Sequence, residues 1–230
     1  GTRRQRQMCI RDRFNDLMEI EYYKVIKNEL YPEKEGLSMG EVLRGINEET
    51  KGDAVIVSDV GQHQMIACRY AAFSKSKSNV TSGGLGTMGF ALPAAIGAKM
   101  GAPERDVIAI IGDGGYQMTI QELGTIFQNN TAVKIVVLNN EFLGMVRQWQ
   151  QLFFEKRYAS TEMTNPDFIT IARGYHIPAK RVTKREELKE AIKEMMTTEG
   201  AYFLEVCVEK ENNVFPMIPT GASVSDVRLS

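Results

Sequence analysis

The chain has 230 residues, of which 28 are Lys or Arg and 29 are Asp or Glu, so its formal net charge is −1. A charge this close to zero gives no sign of a nucleic-acid or membrane-surface partner. The mean hydropathy of −0.25 and the lack of any apolar run near roughly eighteen residues exclude a transmembrane helix. We therefore expect a soluble chain that is long enough to bury its own core.

The first thirteen residues differ in composition from the rest. Five arginines stand there beside a single acid, Asp12, and the remaining chain has 23 basic and 28 acidic residues, a net charge of −5. The apolar stretch 8–10 is too short for a signal peptide. A basic arm for nucleic acid is one interpretation. A scar of cloning or sequence assembly is favoured, because the composition changes abruptly at Phe14. We therefore treat residues 1–13 as a basic extension that is not native structure.

Residues 14–37 are predicted to lead into the main domain. The pattern over 14–30 is typical of an amphipathic helix, and residues 31–36 contain the proline, glycine and charged residues of a linker. We assign 14–37 to a helix and linker from a preceding domain. Residues 38–230 are assigned to one main domain with a C-terminal tail.

Within the main domain, short β-branched runs alternate with helical patterns, which is the rhythm of parallel β-α-β units. The runs are almost continuously apolar, as in strands that are covered on both faces. The sequence predicts an α/β fold with an open, mostly parallel, doubly wound sheet and helices on both faces. The predicted strands are 54–58, 107–111, 133–138 and 202–208, and the predicted helices are 38–50, 64–73, 89–101, 118–129, 165–173 and 184–198.

The three cysteines, Cys9, Cys68 and Cys207, are widely spaced and form no C-x-x-C motif. This odd, scattered set argues against a zinc ribbon or a disulfide framework and indicates a reducing compartment. We expect a cytoplasmic protein in which Cys68 and Cys207 are small buried hydrophobic residues.

Polar or glycine-rich loops directly follow three of the predicted strands. In a doubly wound sheet, ligands bind beyond the carboxyl ends of the strands, so the loops at 59–64, 112–115 and 139–145 mark a candidate site. Glycines in such loops let backbone N–H groups approach anionic oxygens at helix N-termini. Three loops of this kind at one sheet edge indicate a site for a phosphate-bearing ligand.

The segment from Gly84 to Gly89 fits the pattern G-x-G-x-x-G, which also occurs in dinucleotide-binding proteins. That interpretation requires a well-formed strand before the glycines and an acid at the end of the next strand, about 20 residues on. Here the preceding strand pattern is short, and the nearest acids are Asp106 at the start of the next strand and Asp113 beyond its end. A glycine turn shaped for another cofactor is the better interpretation.

Asp113 and Asn140 are predicted to lie at the carboxyl ends of neighbouring strands, close enough to share one cation. Carboxylate and amide oxygens without an adjacent histidine or cysteine favour magnesium over zinc. Because magnesium commonly leaves coordination positions for phosphate oxygens, a diphosphate would complete its shell. The alternative is that Asp113 and the pair Asn139-Asn140 only cap helices and form turns.

The sequence Gly112-Asp113-Gly114, followed after 24 residues by Asn139-Asn140, resembles the thiamine diphosphate motif of thiamine-dependent enzymes. Longer segments narrow the family. From Phe14 onward, the chain resembles the catalytic large subunit of acetolactate synthase, also called acetohydroxyacid synthase. The segments that carry this resemblance are 59–65 (DVGQHQM), 82–89 (SGGLGTMG), 139–150 (NNEFLGMVRQWQ) and 216–222 (PMIPTGA).

This resemblance implies a cofactor site. The side chains of Asp113 and Asn140 and the main-chain oxygen of Phe142 would hold Mg²⁺, with diphosphate oxygens and water completing an octahedron. Met88 would lie under the bend between the two rings of thiamine diphosphate, and the carbonyl of Gly86 would accept a hydrogen bond from the pyrimidine amine. The residues implied to bind the cofactor are Val60, Gly61, Gln62, His63, Gly86, Met88, Gly112, Asp113, Gly114, Gly115, Asn140, Phe142, Gly144 and Met145.

Two aromatic side chains have implied roles near this site. Trp149, the only tryptophan, would line the channel that admits the second 2-ketoacid. His63 would donate a ring N–H to the diphosphate, although a lone histidine beside a strand end is more often structural. No residue of the chain is assigned a catalytic role, because the glutamate that protonates the aminopyrimidine belongs, in this family, to the pyrimidine-binding domain of a partner subunit.

The resemblance implies a thiamine diphosphate-dependent transferase of branched-chain amino acid biosynthesis. It would condense pyruvate with pyruvate or 2-ketobutyrate, with loss of CO₂. The chain has no room for the pyrimidine-binding domain or for the domain that carries FAD in the family, so we expect a fragment that is inactive alone.

Its expected partners are the pyrimidine-binding domain of a second catalytic subunit, in a homodimer or tetramer, and a small regulatory subunit; no nucleic acid or membrane is expected. Two other interpretations stay open: another thiamine diphosphate enzyme of the pyruvate oxidase or glyoxylate carboligase type, and a non-catalytic cofactor-binding module.

Overall fold

The computed structural model describes residues 3–230, with side chains from residue 11 onward. The chain divides into two compact units, of which unit 1 consists of Gly1–Glu35 and Val214–Ser230 and unit 2 of Gly36–Asn213. In the part of the chain that is described, no helix is both long and apolar enough to cross a membrane.

Unit 1 begins with helix α1 (Arg3–Glu21), continues as a π-helical segment (Tyr22–Ile26) and reaches α2 (Lys27–Leu30). The predicted helix over 14–30 is therefore present, but it starts already at Arg3, so the change in composition at Phe14 does not coincide with a helix boundary. The interpretation of residues 1–13 as a non-native extension stays a prediction, since the described backbone of 3–13 does not test it and positions 1–2 and the side chains of 3–10 lie outside the described residues.

Unit 2 is built on a six-stranded sheet in which every pairing is parallel. Its strands are β1 (Val55–Ser58), β2 (Asn79–Thr81), β3 (Val107–Gly112), β4 (Val133–Asn139), β5 (Ala179–Val182) and β6 (Tyr202–Cys207). They lie in the order β2-β1-β3-β4-β6-β5. Because β3 and β4 are buried at every position, both faces of the sheet are covered. The predicted open, parallel α/β sheet is confirmed.

The helices of unit 2 connect these strands and flank the sheet. They are α3 (Met39–Thr50), α4 (Gln62–Tyr70), α5 (Ala91–Gly101), α6 (Asp113–Met118), α7 (Glu122–Asn129), α8 (Gly144–Phe153), α9 (Phe168–Gly174) and α10 (Arg185–Thr197). Helix α3 starts with a capping box. The Ser38 hydroxyl accepts from the Glu41 N–H and the Glu41 carboxylate accepts from the Ser38 N–H, each at 3.1 Å.

Several predicted elements need correction. The helix predicted over 118–129 is present as α7 but begins later, at Glu122, because Thr119 leaves the helical conformation after α6 and directs its hydroxyl to the Gly89 carbonyl. Helix α8 and strand β5 were not predicted. Strand β5 lies at the sheet edge and carries Lys180 and Arg181 in place of an apolar run, as edge strands often do.

The expected burial of two cysteines is also wrong. Cys68 is exposed on α4 and Cys207 is only partly buried. Cys68 follows two buried positions, Ile66 and Ala67, and therefore faces away from the side of α4 that packs inward.

Aromatic packing fixes the start of α6 at the end of β3. The Tyr116 ring is fully buried and lies edge-on to Phe168 at 5.1 Å, with Phe203 at 5.2 Å. Because Tyr116 is three residues beyond Asp113, this contact holds the first turn of α6 against the sheet. The position of Asp113 is thus set by the hydrophobic core.

The connectivity creates a crevice beside that first turn. The chain leaves β1 for β2 on one side and then enters β3 on the other side of β1. Loops that leave neighbouring strands in opposite directions open a crevice beyond the carboxyl ends of those strands. The crevice lies between the ends of β1 and β3, beside two of the three loops, 59–64 and 112–115, at which the sequence analysis places its candidate site.

Candidate functional site

A cavity of about 240 Å³ opens at this crevice. All fourteen residues that the sequence analysis assigns to the cofactor line its wall. Trp149 is not among the lining residues. The wall also includes five residues that were not predicted: Met39, Gln64, Leu138, Leu143 and Val146. Three of these flank predicted positions in the same loops, whereas Met39 comes from α3 and carries no sequence signal for the site.

At the end of β1, a buried carboxylate fastens two loops together. Asp59 accepts from the Val60 N–H at 2.9 Å, from the Gly89 N–H at 3.0 Å and from the Phe90 N–H at 3.2 Å. Burial raises the pKa of Asp59, and these backbone N–H groups oppose the shift. The clamp fixes the segment that presents Met88 to the cavity.

At the end of β3, Asp113 is 1% exposed and faces the cavity. One of its oxygens accepts from the Asn165 side chain at 2.8 Å. Burial raises the pKa of Asp113 to about 6, and the bond from Asn165 opposes this shift. A buried carboxylate without a neighbouring cation is costly, so the site is electrostatically suited to receive one.

The glycines after Asp113 are required by close approach. A Cβ on Gly114 would lie 2.6 Å from the Leu143 side chain, and one on Gly115 would lie 2.2 Å from an Asp59 carboxylate oxygen. A Cβ on Gly144 would lie 2.2 Å from the Gln62 side chain. Only glycine allows α6 and α8 to start this close to the other walls of the cavity.

At the end of β4, the two adjacent asparagines diverge. Asn140 lines the cavity, and its Oδ1 accepts from the Phe142 N–H at 3.3 Å. Asn139 instead donates to the buried Glu205 at 2.8 Å. Successive side chains of a strand point in opposite directions, which explains the split. Strands β3 and β4 are paired, with Gly112 opposite Leu138, so the prediction that Asp113 and Asn140 follow neighbouring strands is confirmed.

His63 and Gln62 open α4 at the cavity wall. Burial lowers the pKa of His63 to about 4, so its imidazole is neutral at pH 7. Its Nε2 is buried without a hydrogen-bond partner among residues 11–230. Gln62 differs, because its side-chain N–H groups already donate to Gln148 and to the Asn212 carbonyl, each at 2.9 Å. Of the two, His63 has the side-chain nitrogen left for a ligand.

Helix α8 lies at the cavity wall and contacts the loop 139–143 that precedes it. The buried Arg147 guanidinium lies 5.3 Å from the ring centroids of both Phe142 and Tyr158, a cation–π arrangement. The contact of Arg147 with these two rings was not predicted, because a single arginine in a polar helix has no distinguishing pattern. The Trp149 ring lies against Phe153, with centroids 4.9 Å apart and planes tilted by 42°, and Trp149 is 37% exposed.

The residues of the cavity fit a magnesium diphosphate. Within the described part of the chain, no three His, Cys, Asp or Glu side chains cluster as a metal site. A site built from one carboxylate, one amide and backbone oxygen suits Mg²⁺, which takes few protein ligands when it also binds phosphates. The glycine-lined helix starts and the unpartnered His63 nitrogen supply the space and a polar group for the anion.

Comparison with known proteins agrees with this fit. Residues 59–206, more than half of the chain, match the family described as "Thiamine pyrophosphate enzyme, C-terminal TPP binding domain". The acetolactate synthase isozyme 2 large subunit of Escherichia coli is 43% identical over 81% of the chain. The mitochondrial acetolactate synthase of Schizosaccharomyces pombe is 46% identical over 80% of the chain.

A solved structure gives the same fold. The thiamine diphosphate-dependent 4-hydroxybenzoylformate decarboxylase of Rhodococcus jostii superposes with a TM-score of 0.72 at 25% identity, over 78% of this chain and 34% of that one. The chain spans about a third of the length of the relatives it matches, 34% of the Escherichia coli protein and 28% of the Schizosaccharomyces pombe protein.

Proposed function

The chain belongs to the thiamine pyrophosphate enzymes and contains their C-terminal TPP-binding domain, and from this premise we propose that it forms the Mg²⁺-diphosphate half of an acetolactate synthase active site. The observation that carries the proposal is the convergence of Asp113, Asn140 and the unpartnered His63 on one glycine-lined cavity. The identity to acetolactate synthase large subunits supports the choice within the family.

The metal ligands would be the side chains of Asp113 and Asn140 and the main-chain oxygen of Phe142. Binding of Mg²⁺ would compensate the buried Asp113 charge, and two diphosphate oxygens and water would fill the remaining positions. Neutral His63 carries a single ring N–H and would donate it to the diphosphate. The backbone N–H groups at the starts of α6 and α8 would do the same.

The thiazolium ring of the cofactor, when bound, supplies an electron sink for the carbon from which CO₂ departs. The chain's own part is to hold the two cofactor rings. Met88, fixed by the Asp59 clamp, would fill the space beneath the bend between them, where an unbranched thioether adapts to an irregular gap. The Gly86 carbonyl would accept from the pyrimidine amine. Trp149 would line the approach of the second 2-ketoacid.

For the full-length protein we propose condensation of pyruvate with a second 2-ketoacid, with loss of CO₂, on the route to branched-chain amino acids. In this proposal residues 38–230 form the cofactor domain with its tail, and 14–37 lead in from a preceding domain. The site is completed by the pyrimidine-binding domain of a second catalytic subunit, and FAD binds to a domain outside this chain. The 230-residue chain alone would therefore produce no acetolactate.

We further propose a cytoplasmic location for the full-length protein. The support is the cysteine pattern, which suits a reducing compartment. Among the relatives, one is described as mitochondrial and others as chloroplastic, so fractionation of cells that express the full-length protein is the relevant measurement.

Calorimetric titration of thiamine diphosphate tests the cofactor site. We expect binding with Mg²⁺, loss of binding with EDTA, and at least about 100-fold weaker binding for Asp113→Ala, since an entire metal ligand is removed. The matched control is Asp106→Ala, which removes an exposed carboxylate just before the opposite end of the same strand. If affinity were too weak to measure, the titration would be repeated with the pyrimidine-binding domain added in trans. Binding that is independent of Mg²⁺, or unchanged in Asp113→Ala, would refute the proposal.

A further inference from the structure

A chain of hydrogen bonds runs from Asp113 to the buried Glu205 through two asparagine side chains. The Asn165 amide N–H₂ donates to the second Asp113 oxygen, Oδ2, at 2.8 Å and to Asn139 Oδ1 at 3.0 Å. Asn165 therefore joins the ends of β3 and β4 through one side chain. It lies in the loop before α9, and it carries no motif by which sequence analysis could select it.

The chain continues into a buried carboxylate. Asn139 donates to Glu205 Oε1 at 2.8 Å, and Glu205 is 1% exposed. The other Glu205 oxygen accepts from Arg181 Nε at 2.7 Å. The Arg181 guanidinium at the sheet edge thus compensates the inner carboxylate and closes the chain at its far end.

The two carboxylates fix the orientation of both amides. Asn139 must turn its N–H₂ towards Glu205, so its oxygen faces Asn165. Asn165 must then turn its N–H₂ towards Asp113 and Asn139, since the reverse orientation would set two oxygens against each other. Gln117 completes the pattern by donating to Asn165 Oδ1 at 2.9 Å. Both polar side-chain atoms of Asn165 are hydrogen-bonded, so its amide group fits in one orientation.

The backbone brings Asn165 to this point. The segment before Asn165 runs antiparallel to the loop 139–143. The Leu143 N–H donates to the Thr161 carbonyl at 2.8 Å, and the Met163 N–H donates to the Glu141 carbonyl at 2.9 Å. Asn165 is thereby held against the same loop that carries Asn140 and Phe142. Its place is set by main-chain bonds and not by chance packing.

We propose that Asn165 is a positioning residue for the metal ligand Asp113: it holds Oδ2 through the Glu205-anchored chain and so presents Oδ1 to the cation in a single orientation. The inference rests on the proposed function, because the cation is the one assigned to Asp113. Groups that orient metal ligands from behind commonly contribute about 10- to 100-fold to metal affinity.

The test uses Mn²⁺ as a paramagnetic substitute for Mg²⁺, titrated into the 230-residue chain with thiamine diphosphate and followed by electron paramagnetic resonance. In Asn165→Leu, a near-isosteric change without hydrogen bonds, we expect the half-saturating Mn²⁺ concentration to rise at least about tenfold. The bound Mn²⁺ spectrum should broaden because the carboxylate is no longer held in one orientation. Asn165→Ala is the second variant, for use if the leucine does not fold.

The matched control is Asn47→Leu. Asn47 is also partly buried, and its side chain bonds two main-chain groups after α4, at Tyr70 and Ala72. Both variants should lower the melting temperature, but only the Asn165 change should alter the Mn²⁺ half-saturation and spectrum. Half-saturation unchanged in both would overturn the inference while leaving the cofactor site intact. Failure of the wild-type chain to bind Mn²⁺ through Asp113, even with the pyrimidine-binding domain added in trans, would instead refute the proposed function, and the inference with it.

Discussion

The loops after β1 and β3 each begin with a buried aspartate, yet the two carboxylates are bonded in different ways. Asp59 accepts three backbone N–H groups from its own loop and from the segment before α5. Asp113 accepts the side-chain amide of Asn165, and backbone N–H groups of its own residue, Gly114 and Glu141 also act to lower its pKa. Both carboxylates therefore have protein donors, but of the two it is Asp113 that lines the cavity.

This contrast shows how two aspartates at equivalent strand ends, Asp59 and Asp113, can differ in function. A carboxylate whose lone pairs are taken by backbone N–H groups acts as a clamp and gains nothing from a cation. A buried carboxylate that faces a cavity carries a free-energy cost that a bound cation can relieve. Because both aspartates are buried, their position relative to the cavity distinguishes them better than burial does.

The largest expected effect concerns the clamp. Asp59→Ala removes the acceptor of the Gly89 and Phe90 N–H groups, and each buried donor without a partner costs about 1–3 kcal/mol. We expect the free energy of unfolding in urea to fall by about 3 kcal/mol or more, with cofactor affinity lost because the Met88 segment is released. A loss below about 1 kcal/mol would show that the clamp is dispensable.

The next prediction tests the free-energy cost of burying the Asp113 charge. The pKa of Asp113 is raised to about 6 from an ordinary value of 3.8, so the folded protein binds this proton more tightly than the unfolded chain does. Its contribution to stability is therefore present below about pH 4 and is lost as the pH rises to about 6. With EDTA and no cofactor, we expect Asp113→Asn to unfold like wild type at pH 4 and to be about 3 kcal/mol more stable at pH 7.

Urea unfolding of both proteins across this pH range provides the measurement. Other titrating groups are the same in the two proteins, so the difference between them isolates Asp113. Addition of Mg²⁺ and thiamine diphosphate should reverse the order of stability, because only the carboxylate gains from the cation. Equal stability at every pH without metal would contradict the account of an uncompensated charge.

A smaller effect is expected at Gly115, two residues after Asp113. In Gly115→Ala the new Cβ would lie 2.2 Å from an Asp59 oxygen that backbone N–H groups hold in place, and such overpacking costs about 1–3 kcal/mol. The matched control is Gly97→Ala in α5, where a Cβ meets nothing within 4 Å. That change should instead stabilise the helix, by up to about 1 kcal/mol. Melting temperatures that shift in the same direction in both variants would contradict the prediction.

The smallest effect on stability is expected at Thr119, which lies in the turn after α6 and bonds the segment that Asp59 holds. Thr119 donates to the Gly89 carbonyl at 2.9 Å, so Thr119→Val keeps the side-chain shape and loses one hydrogen bond. We expect a loss of about 1 kcal/mol in chemical unfolding. In the Asp59→Ala background the same change should cost less, since the Gly89 segment is already free. Full additivity would indicate that the two bonds hold independent parts of the loop.

The sequence was sufficient for the sheet and the edge that carries the site, because apolar strands followed by polar or glycine-rich loops have a strong pattern. It selected Asp113 and Asn140 as a cation pair from their places after neighbouring strands, and the alternation of the strand explains why Asn140 and not Asn139 faces the cavity. It gave Asp59 no role, since two of its partners, Gly89 and Phe90, lie about thirty residues away in the chain. Asn165 was missed for the same reason, as its bonds join residues remote in sequence.

The paired asparagines at the end of β4 have a consequence for insertions and deletions. If one residue were added upstream within the strand, Asn139 would take the cavity position and Leu138 would face Glu205. If one were removed, Asn140 would face Glu205 and Glu141 would enter the cavity. Either slip keeps an asparagine in one of the two places and loses it from the other. An asparagine at the cavity and an asparagine in the hydrogen-bond chain to Glu205 can therefore be present together only if β4 keeps its register.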